Sequence, residues 1–357
     1  MRVGIAGAGL LGRLLAWALA EAGNEIEVYD PAPGPESHFD GRGAAAFTAA
    51  GMLSPLAELD ASEPEIAALG LRSLDLWQQI CARLPERPFF ARKGSLLVAH
   101  RADLGAAQRI LARLEHGRAA MPAAGLSAGL SAPVALDRDG LRALEPALHV
   151  EGHAWHLPGE GQIDPVQALH ALHAAAPAVR WHWGRRVDGV EAGRLRLDDG
   201  VECRFDQVFD VRGVGARPQL PVRGVRGEVV WLYVPGHDLT RPVRLLHPRH
   251  RVYLVPRPGD FIVVGASEIE SEDRSPVSLR TAVELMAAAH SILPALAEAR
   301  IARLDVNLRP ALPDNRPRVD REDGLVRING LYRHGWLLAP ALVEQAGVSL
   351  LRDGGGA

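Results

Sequence analysis

The sequence predicts an α/β fold of two domains, and four observations support this prediction. Residues 3–6 form a short apolar run, typical of a buried strand. A helix should follow, because leucines recur four positions apart at Leu11, Leu15 and Leu19. Residues 25–29 have the character of a second strand, which completes a strand–helix–strand unit. Residues 222–266 instead alternate β-rich runs with turns, so we expect a second domain built on strands.

The composition excludes several classes of protein. The chain has 357 residues, 47% of them hydrophobic, which is enough for two cores. A formal net charge of −3 and the lack of a basic tract argue against nucleic acid or an anionic membrane as partner. No stretch is apolar for long enough to span a bilayer. The two cysteines, Cys81 and Cys203, fit neither a disulfide scaffold nor a zinc motif, which indicates free thiols in the cytoplasm.

A glycine pattern lies between the first predicted strand and helix. Gly7, Gly9 and Gly12 have the spacing of a dinucleotide-binding turn. The first glycine permits the tight turn, the second lets the backbone approach a pyrophosphate, and the third lets the helix pack against the sheet. The same pattern argues against a signal peptide, which the apolar run up to Ala20 would otherwise suggest. We therefore expect a Rossmann-like unit whose helix N-terminus binds phosphate.

An acidic residue completes the pattern. Asp30 lies 18 residues after Gly12, at the end of the second predicted strand. An acid there accepts hydrogen bonds from a ribose hydroxyl and favours an unphosphorylated ribose. The motif therefore indicates FAD or NAD rather than NADP, and does not separate the first two.

Four further segments, spread along the chain, carry a recognisable pattern. They are Thr48-Ala49-Ala50-Gly51-Met52-Leu53-Ser54-Pro55, Val252-Tyr253-Leu254-Val255-Pro256-Arg257, Leu308-Arg309-Pro310, and Gly330-Leu331-Tyr332-Arg333-His334-Gly335 with Trp336-Leu337-Leu338-Ala339-Pro340 after it. These segments resemble the D-amino-acid oxidase family of FAD-dependent oxidoreductases, specifically its glycine oxidase branch, and they occur in the family's order.

The resemblance implies a Rossmann-like FAD-binding domain and a second α+β substrate domain built on an antiparallel sheet. The FAD-binding domain would combine residues 1–60, 150–220 and 305–357, and the substrate domain residues 61–149 and 221–304. The FAD would be bound non-covalently. The resemblance leaves the oligomeric state open and is compatible with a homo-oligomer.

The family's cofactor contacts carry over residue by residue as expectations. The ADP half would meet Leu10, Leu11, Asp30, Pro31, Ala45 and Ala46, and the adenine would meet the main chain of Val187. The isoalloxazine would meet the backbone of Ala50, Gly51 and Met52, with Thr48 and Gly213 nearby. Its pyrimidine edge would be wrapped by Leu331, Tyr332, Arg333, His334, Gly335, Trp336 and Leu337.

Three residues are the candidates for substrate binding. The resemblance implies that Arg309 binds the substrate carboxylate and that Tyr253 and Arg333 complete the pocket. This assignment is chemically sensible, because a guanidinium offers a planar fork of donors that matches a carboxylate. A tyrosine hydroxyl can donate to the same carboxylate.

Two places depart from the family. Residues 210–217 replace a stretch that in the family resembles Ala-Ala-Gly-Ala-Trp, which leaves the flavin contacts of this loop open. Glu268 stands where a glycine oxidase has an apolar pocket residue. If Glu268 points inward it alters substrate choice, and if it points outward it is a solvated acid.

The implied reaction is FAD-dependent oxidation of the amine of glycine or a small D-amino acid to an imine, which water hydrolyses to a keto acid. Oxygen is the expected electron acceptor, as in an oxidase that supplies imine for thiamine synthesis. One alternative is a D-amino-acid dehydrogenase that reduces a quinone or carrier, and another is a non-catalytic FAD-binding scaffold. We expect no metal site, since the pairs His170/His173 and His247/His250 lack a third ligand.

Overall fold

The computed structural model describes residues 1–121, 130–247 and 251–351. The low complexity of residues 119–133 predicts a loop, and residues 354–357 are predicted to form a C-terminal tail. Most of the first segment, all of the second and His250 of one histidine pair lie outside the described residues. Within the described part of the chain, no helix is long and apolar enough to cross a membrane.

The strands form four sheets. They are β1 (Arg2–Ala6), β2 (Glu25–Asp30), β3 (Met52–Leu53), β4 (Phe90–Ala91), β5 (Ser95–His100), β6 (Val134–Leu136), β7 (Gly152–Leu157), β8 (Gly161–Ile163), β9 (Arg180–Trp183), β10 (Val187–Glu191), β11 (Arg194–Leu197), β12 (Glu202–Arg204), β13 (Gln207–Asp210), β14 (Arg223–Tyr233), β15 (Val243–Leu246), β16 (Arg251–Arg257), β17 (Phe261–Gly265), β18 (Arg300–Ala311), β19 (Arg318–Glu322) and β20 (Leu325–Asn329).

The helices pack on these sheets and connect them. They are α1 (Leu10–Glu21), α2 (Ala45–Thr48), α3 (Pro55–Glu58), α4 (Pro64–Arg83), α5 (Leu104–Ala119), α6 (Arg138–Leu144), α7 (Pro165–Ala174), α8 (Leu279–His290) and α9 (Gly335–Gln345).

The first sheet is the predicted Rossmann-like sheet. Its order is β19-β20-β13-β1-β2-β9, and every pair is parallel except β19 with β20. The strand–helix–strand unit β1-α1-β2 is therefore confirmed. Parallel strands covered on both faces are buried, which explains the apolar run at residues 3–6 of β1.

The second sheet has eight strands in the order β18-β14-β17-β16-β15-β5-β7-β6. Its pairs are antiparallel except β15 with β5. Residues 258–260, Pro-Gly-Asp, form the turn that joins the antiparallel strands β16 and β17, in keeping with the alternation of strands and turns predicted for residues 222–266. Two three-stranded sheets, β10-β11-β12 and β3-β8-β4, complete the fold.

The sheets divide the chain differently from the predicted boundaries. Residues 152–157 and 305–311, predicted in the FAD-binding domain, lie in β7 and β18 of the second sheet. Helix α4, predicted in the substrate domain, packs on α9 beside the parallel sheet, and the indole nitrogen of Trp77 donates to the Trp336 carbonyl at 2.7 Å. Strand pairing and helix docking between distant segments decide these memberships, so local sequence does not show them.

Helix starts follow the local sequence. Asp164 caps α7 by accepting from the amides of Val166 and Gln167 at 3.0 Å, and Pro165 occupies the first helical position. Helix α9 starts at Gly335.

Candidate active site

A cavity of about 1080 Å³ lies between the parallel sheet and the eight-stranded sheet. Its walls include the loop after β1, the segment 44–52, β18 and the loop before α9. Cofactor pockets commonly measure ~300–1,000 Å³, so the volume is that of a large cofactor with room for a small substrate.

The glycine turn forms one wall of the cavity and keeps it open. Gly7 has a φ of +104°, which a side chain would strain. A Cβ at Gly12 would overlap the Gly7 carbonyl oxygen, so only glycine lets α1 pack here. Gly9 lies against Ala44, whose Cβ would be 3.8 Å from a Cβ on Gly9. No side chain caps α1, so its N-terminal amides remain available to an anion.

Asp30 lies at the end of β2 and lines the same cavity. Its Oδ2 accepts from the Ala8 amide at 2.6 Å, and its Oδ1 accepts from the Ala32 amide at 2.8 Å. Each carboxylate oxygen has a further lone pair, so Asp30 both braces the glycine turn and can accept from a ribose hydroxyl.

The segment around Gly51 is fixed by a buried arginine. Gly51 has a φ of +65°, and a Cβ there would overlap the Ile163 carbonyl. The Arg257 guanidinium donates to the Ala50 carbonyl, and also to Gln162 Oε1 at 3.0 Å. Burial lowers the pKa of Arg257 to about 10, so it stays charged at neutral pH. The backbone of 50–52 is therefore held rigidly at the cavity wall.

The loop at 210–217 contains an ion pair that the sequence did not reveal. Arg212 donates to both oxygens of Asp210, at 2.9 and 2.8 Å, and to the Val187 carbonyl at 2.8 Å. The carbonyl of Val187, predicted to face an adenine, is therefore engaged by Arg212. Gly213, with a φ of +57°, places this loop at the cavity wall.

Arg309 in β18 and Tyr253 in β16 lie on the same sheet, with β14 and β17 between them, and both line the cavity. Arg309 Nη1 donates to the Ser267 carbonyl at 3.0 Å and to the Arg226 carbonyl at 3.3 Å. The guanidinium packs flat over Gly227, where a Cβ would overlap it. Among the residues that the structure describes, no carboxylate pairs with Arg309, so its remaining N–H groups suit an anionic ligand.

Tyr253 is the second polar group at this end. Its ring packs with Ala50 and Met52, and its hydroxyl lies over Gly265. Burial raises the pKa of the Tyr253 hydroxyl, so it remains a hydrogen-bond donor at neutral pH.

The buried acid Glu58 contacts three basic side chains at the end of the cavity that contains Arg309. Its Oε1 accepts from Arg244 at 3.1 Å and its Oε2 from Arg333 at 2.9 Å. Nδ1 of His334 lies 3.3 Å from Oε2. Burial alone would raise the pKa of Glu58, but these basic neighbours hold it well below its usual range. Burial lowers the pKa of His334, which keeps that imidazole neutral at pH 7.

Glu268 and Tyr332 close one side of the cavity at the end that contains Arg309. The Tyr332 hydroxyl donates to Glu268 Oε1 at 2.6 Å, and Arg333 Nη1 lies 3.6 Å from Oε2. The Glu268 side chain is 46% exposed yet lines the cavity, so it is a partnered acid at the rim rather than an isolated solvated one. Burial and Glu268 raise the pKa of Tyr332 to about 12, so the hydroxyl stays protonated.

The predicted site residues meet at one place. All the predicted cofactor residues except Gly12 line the cavity, together with Arg309, Tyr253 and Arg333. Gly12 packs beneath the turn, which is the role predicted for the third glycine. Sequence reasoning missed Glu58 and Arg244, although Glu58 closely follows the segment 48–55 that carried the resemblance. Within the described residues, no group of three potential ligands could hold a metal ion.

The family of the chain follows from comparison with known proteins. The family model described as FAD dependent oxidoreductase (DAO) matches residues 2–345. The chain belongs to this family. FAD is therefore its cofactor, and the uncapped helix N-terminus, the Asp30 carboxylate and the cavity between the sheets fit it.

Individual relatives resemble the chain over nearly its whole length. It is 37% identical to the putative thiamine biosynthesis oxidoreductase ThiO of Rhizobium etli, covering 99% of this chain and 98% of the relative. It is 26% identical to a glycine oxidase of Geobacillus kaustophilus, covering 95% and 89%.

Solved structures support the same fold. Iminodiacetate oxidase from Chelativorans superposes with a TM-score of 0.78 at 25% identity, covering 97% of this chain and 95% of that chain. The crystal structure of glycine oxidase from Geobacillus kaustophilus gives a TM-score of 0.79 at 24% identity, covering 99% and 100%.

Proposed function

We propose that this protein oxidatively deaminates glycine or a small D-amino acid, with FAD as cofactor and oxygen as electron acceptor. The observation that carries the proposal is Arg309, a guanidinium without a carboxylate partner among the described residues, beside Tyr253 in the cofactor cavity. The relatives named glycine oxidase and ThiO support both the substrate class and a role in thiamine biosynthesis.

In this proposal, Arg309 and Tyr253 bind the substrate carboxylate. The Ser267 and Arg226 carbonyls hold one edge of the Arg309 guanidinium, so the rest of the fork is presented to the cavity in a fixed orientation. The Tyr253 hydroxyl, on β16 of the same sheet, would donate to the same carboxylate. Two directional donors fix the carboxylate, and this orients the amine and the α-carbon relative to the cofactor.

The remaining polar groups keep this pocket in shape. Glu58 pairs with Arg333 and Arg244, so both cations hold defined positions instead of competing with Arg309 for the substrate. FAD bound in this cavity would supply the two-electron oxidation of the substrate amine, which is the difficult chemistry. The resulting imine is hydrolysed by water to a keto acid and ammonia, so the protein needs neither a nucleophile nor a metal.

An amino-acid panel tests the proposal on the purified yellow protein. Without oxygen, glycine or a small D-amino acid should bleach the flavin, whatever the natural acceptor. With oxygen, peroxide should form at the rate of turnover. Bleaching without peroxide would favour a dehydrogenase that reduces a quinone or carrier. No bleaching by any amino acid would favour a non-catalytic FAD-binding scaffold.

The compartment is the cytoplasm in this proposal. Cys81 and Cys203 are both free thiols, as expected in a reducing environment.

A further inference from the structure

A second cavity of about 1040 Å³ adjoins the first. It is lined by the segment 61–66, by the start of α8 and by residues 314–317, among others. Neither the glycine turn nor Asp30 takes part in it, so the second cavity is separate from the ADP half of the cofactor site.

The two cavities share a wall at the substrate end. Six residues line both of them, and these are Ala266, Ser267, Glu268, Tyr332, Arg333 and His334. Two segments, 266–268 and 332–334, therefore separate the cavities. We call this pair of segments the partition.

The partition is held together by side chains. Tyr332 donates to Glu268 across it at 2.6 Å, and this hydrogen bond joins the two segments. Further along, His334 Nε2 lies 3.3 Å from the hydroxyl of Ser62, which lines only the second cavity. Tyr332 adopts a positive φ of 50°, which turns this residue sharply at the wall.

The partition is adjacent to the proposed carboxylate site. The Ser267 carbonyl, which is part of the partition, accepts from Arg309 at 3.0 Å. A substrate bound to Arg309 is therefore close to the partition. The opposite end of the first cavity contains the glycine turn and Asp30, so the ADP half of FAD fills that end. The partition is therefore a side from which a small molecule can reach Arg309 without passing the ADP end of the cavity.

We propose that the second cavity is the passage through which amino acid and imine pass, and that the Tyr332–Glu268 hydrogen bond closes it and limits the size of the molecule that passes. This inference rests on the proposed function. A closed partition admits glycine, whereas an open one also admits larger N-alkyl glycines. Glu268 thereby acts as a specificity-determining residue, and its effect is on access rather than on the oxidation step.

The first test weakens the Tyr332–Glu268 hydrogen bond, which we call the latch. Tyr332→Phe and Glu268→Gln each weaken the hydrogen bond while leaving the shape of the side chain almost unchanged. The probe is glycolate, which has the carboxylate of glycine but cannot be oxidised as an amine, and its binding is followed by the change in flavin absorbance in stopped flow. Both its association and dissociation rate constants should rise, by roughly 3- to 10-fold, the equivalent of one hydrogen bond. Its Kd should stay nearly constant, because access changes and the bound state does not.

The same variants should alter substrate preference. The ratio of kcat/KM for N-ethylglycine to that for glycine should rise by roughly the same factor. The matched control is Glu284→Gln, which removes one negative charge from the second cavity at a residue paired with Arg280 and not on the partition. It should leave both rate constants and the ratio unchanged.

The second test blocks the passage. Ala61 lines the second cavity but not the first, and Ala61→Trp adds bulk there. Association and dissociation of glycolate should both slow, again with little change in Kd. Unchanged rate constants in Ala61→Trp and in both latch variants would overturn the passage, and a changed Kd through dissociation alone would make Glu268 a binding residue instead. If wild-type protein neither binds glycolate nor is bleached by any amino acid, the proposed function fails, not the passage alone.

Discussion

Replacing Arg309 perturbs the substrate site while leaving the fold intact. Arg309 is half-buried, and its Nη1 donates to the Ser267 and Arg226 carbonyls while the rest of the guanidinium is presented to the cavity. Arg309→Ala removes the guanidinium that packs over Gly227 and adds no bulk. We therefore expect folded protein that still binds FAD but binds the substrate carboxylate poorly.

The magnitude follows from the burial of the side chain. Loss of one partner of a buried, hydrogen-bonded charge pair costs about 2–5 kcal/mol. Because Arg309 is only half-buried, we expect the lower part of this range, about 2–3.5 kcal/mol, or roughly 30- to 400-fold in rate at subsaturating substrate. Arg309→Lys should recover part of this loss, since the charge is restored but the bidentate geometry is not.

The assay is anaerobic flavin reduction by glycine in stopped flow, at concentrations well below saturation. Arg186→Ala is the matched control, because Arg186 lines the same cavity beside Val187 but pairs with Asp188 at 3.1 Å. Glycine should reduce the flavin of the Arg186→Ala variant at the wild-type rate. An amine without a carboxylate should be a poor substrate for wild type and be little affected by Arg309→Ala. Equal rates for wild type and Arg309→Ala would refute the assignment and make Arg333 the next candidate.

Three further changes test the rest of the site. Gly9→Val should abolish FAD binding, because the side chain would occupy the position of the pyrophosphate, and a folded yellow variant would contradict this placement. Arg257→Met should lower thermal stability and FAD content together, since the Ala50 carbonyl and Gln162 lose a buried donor at about 1–3 kcal/mol each; wild-type FAD content would show that Arg257 does not position this segment. Glu58→Gln should cost about 2–5 kcal/mol of stability at pH 7 because Arg244 and Arg333 lose a buried counter-charge. The folded-state pKa of Glu58 is depressed, so the wild-type advantage should be complete at pH 7 and should shrink as the pH falls below about 4; a constant difference from pH 7 to pH 3, measured by denaturant titration, would contradict this sign.

Much of the FAD-binding half could be predicted from the sequence because its signals are local. The spacing of Gly7, Gly9 and Gly12 and the position of Asp30 depend on steric fit and hydrogen bonds within one strand–helix–strand unit. The start of α7 is similarly decided by Asp164 and Pro165, whose partners lie within three residues. Such interactions leave a pattern in a short stretch of sequence.

Only the tertiary structure decided the arrangement of the substrate end. Glu58 meets Arg333, 275 residues away, and Tyr332 meets Glu268, 64 residues away. Whether such side chains approach depends on how β15, β18 and the loop before α9 are placed by strand pairing and packing, and a charge or a hydroxyl by itself does not specify its partner. The sequence therefore determined the cofactor class and the segments that carry it, whereas the buried acid among the arginines, the partition and the second cavity arise from long-range packing.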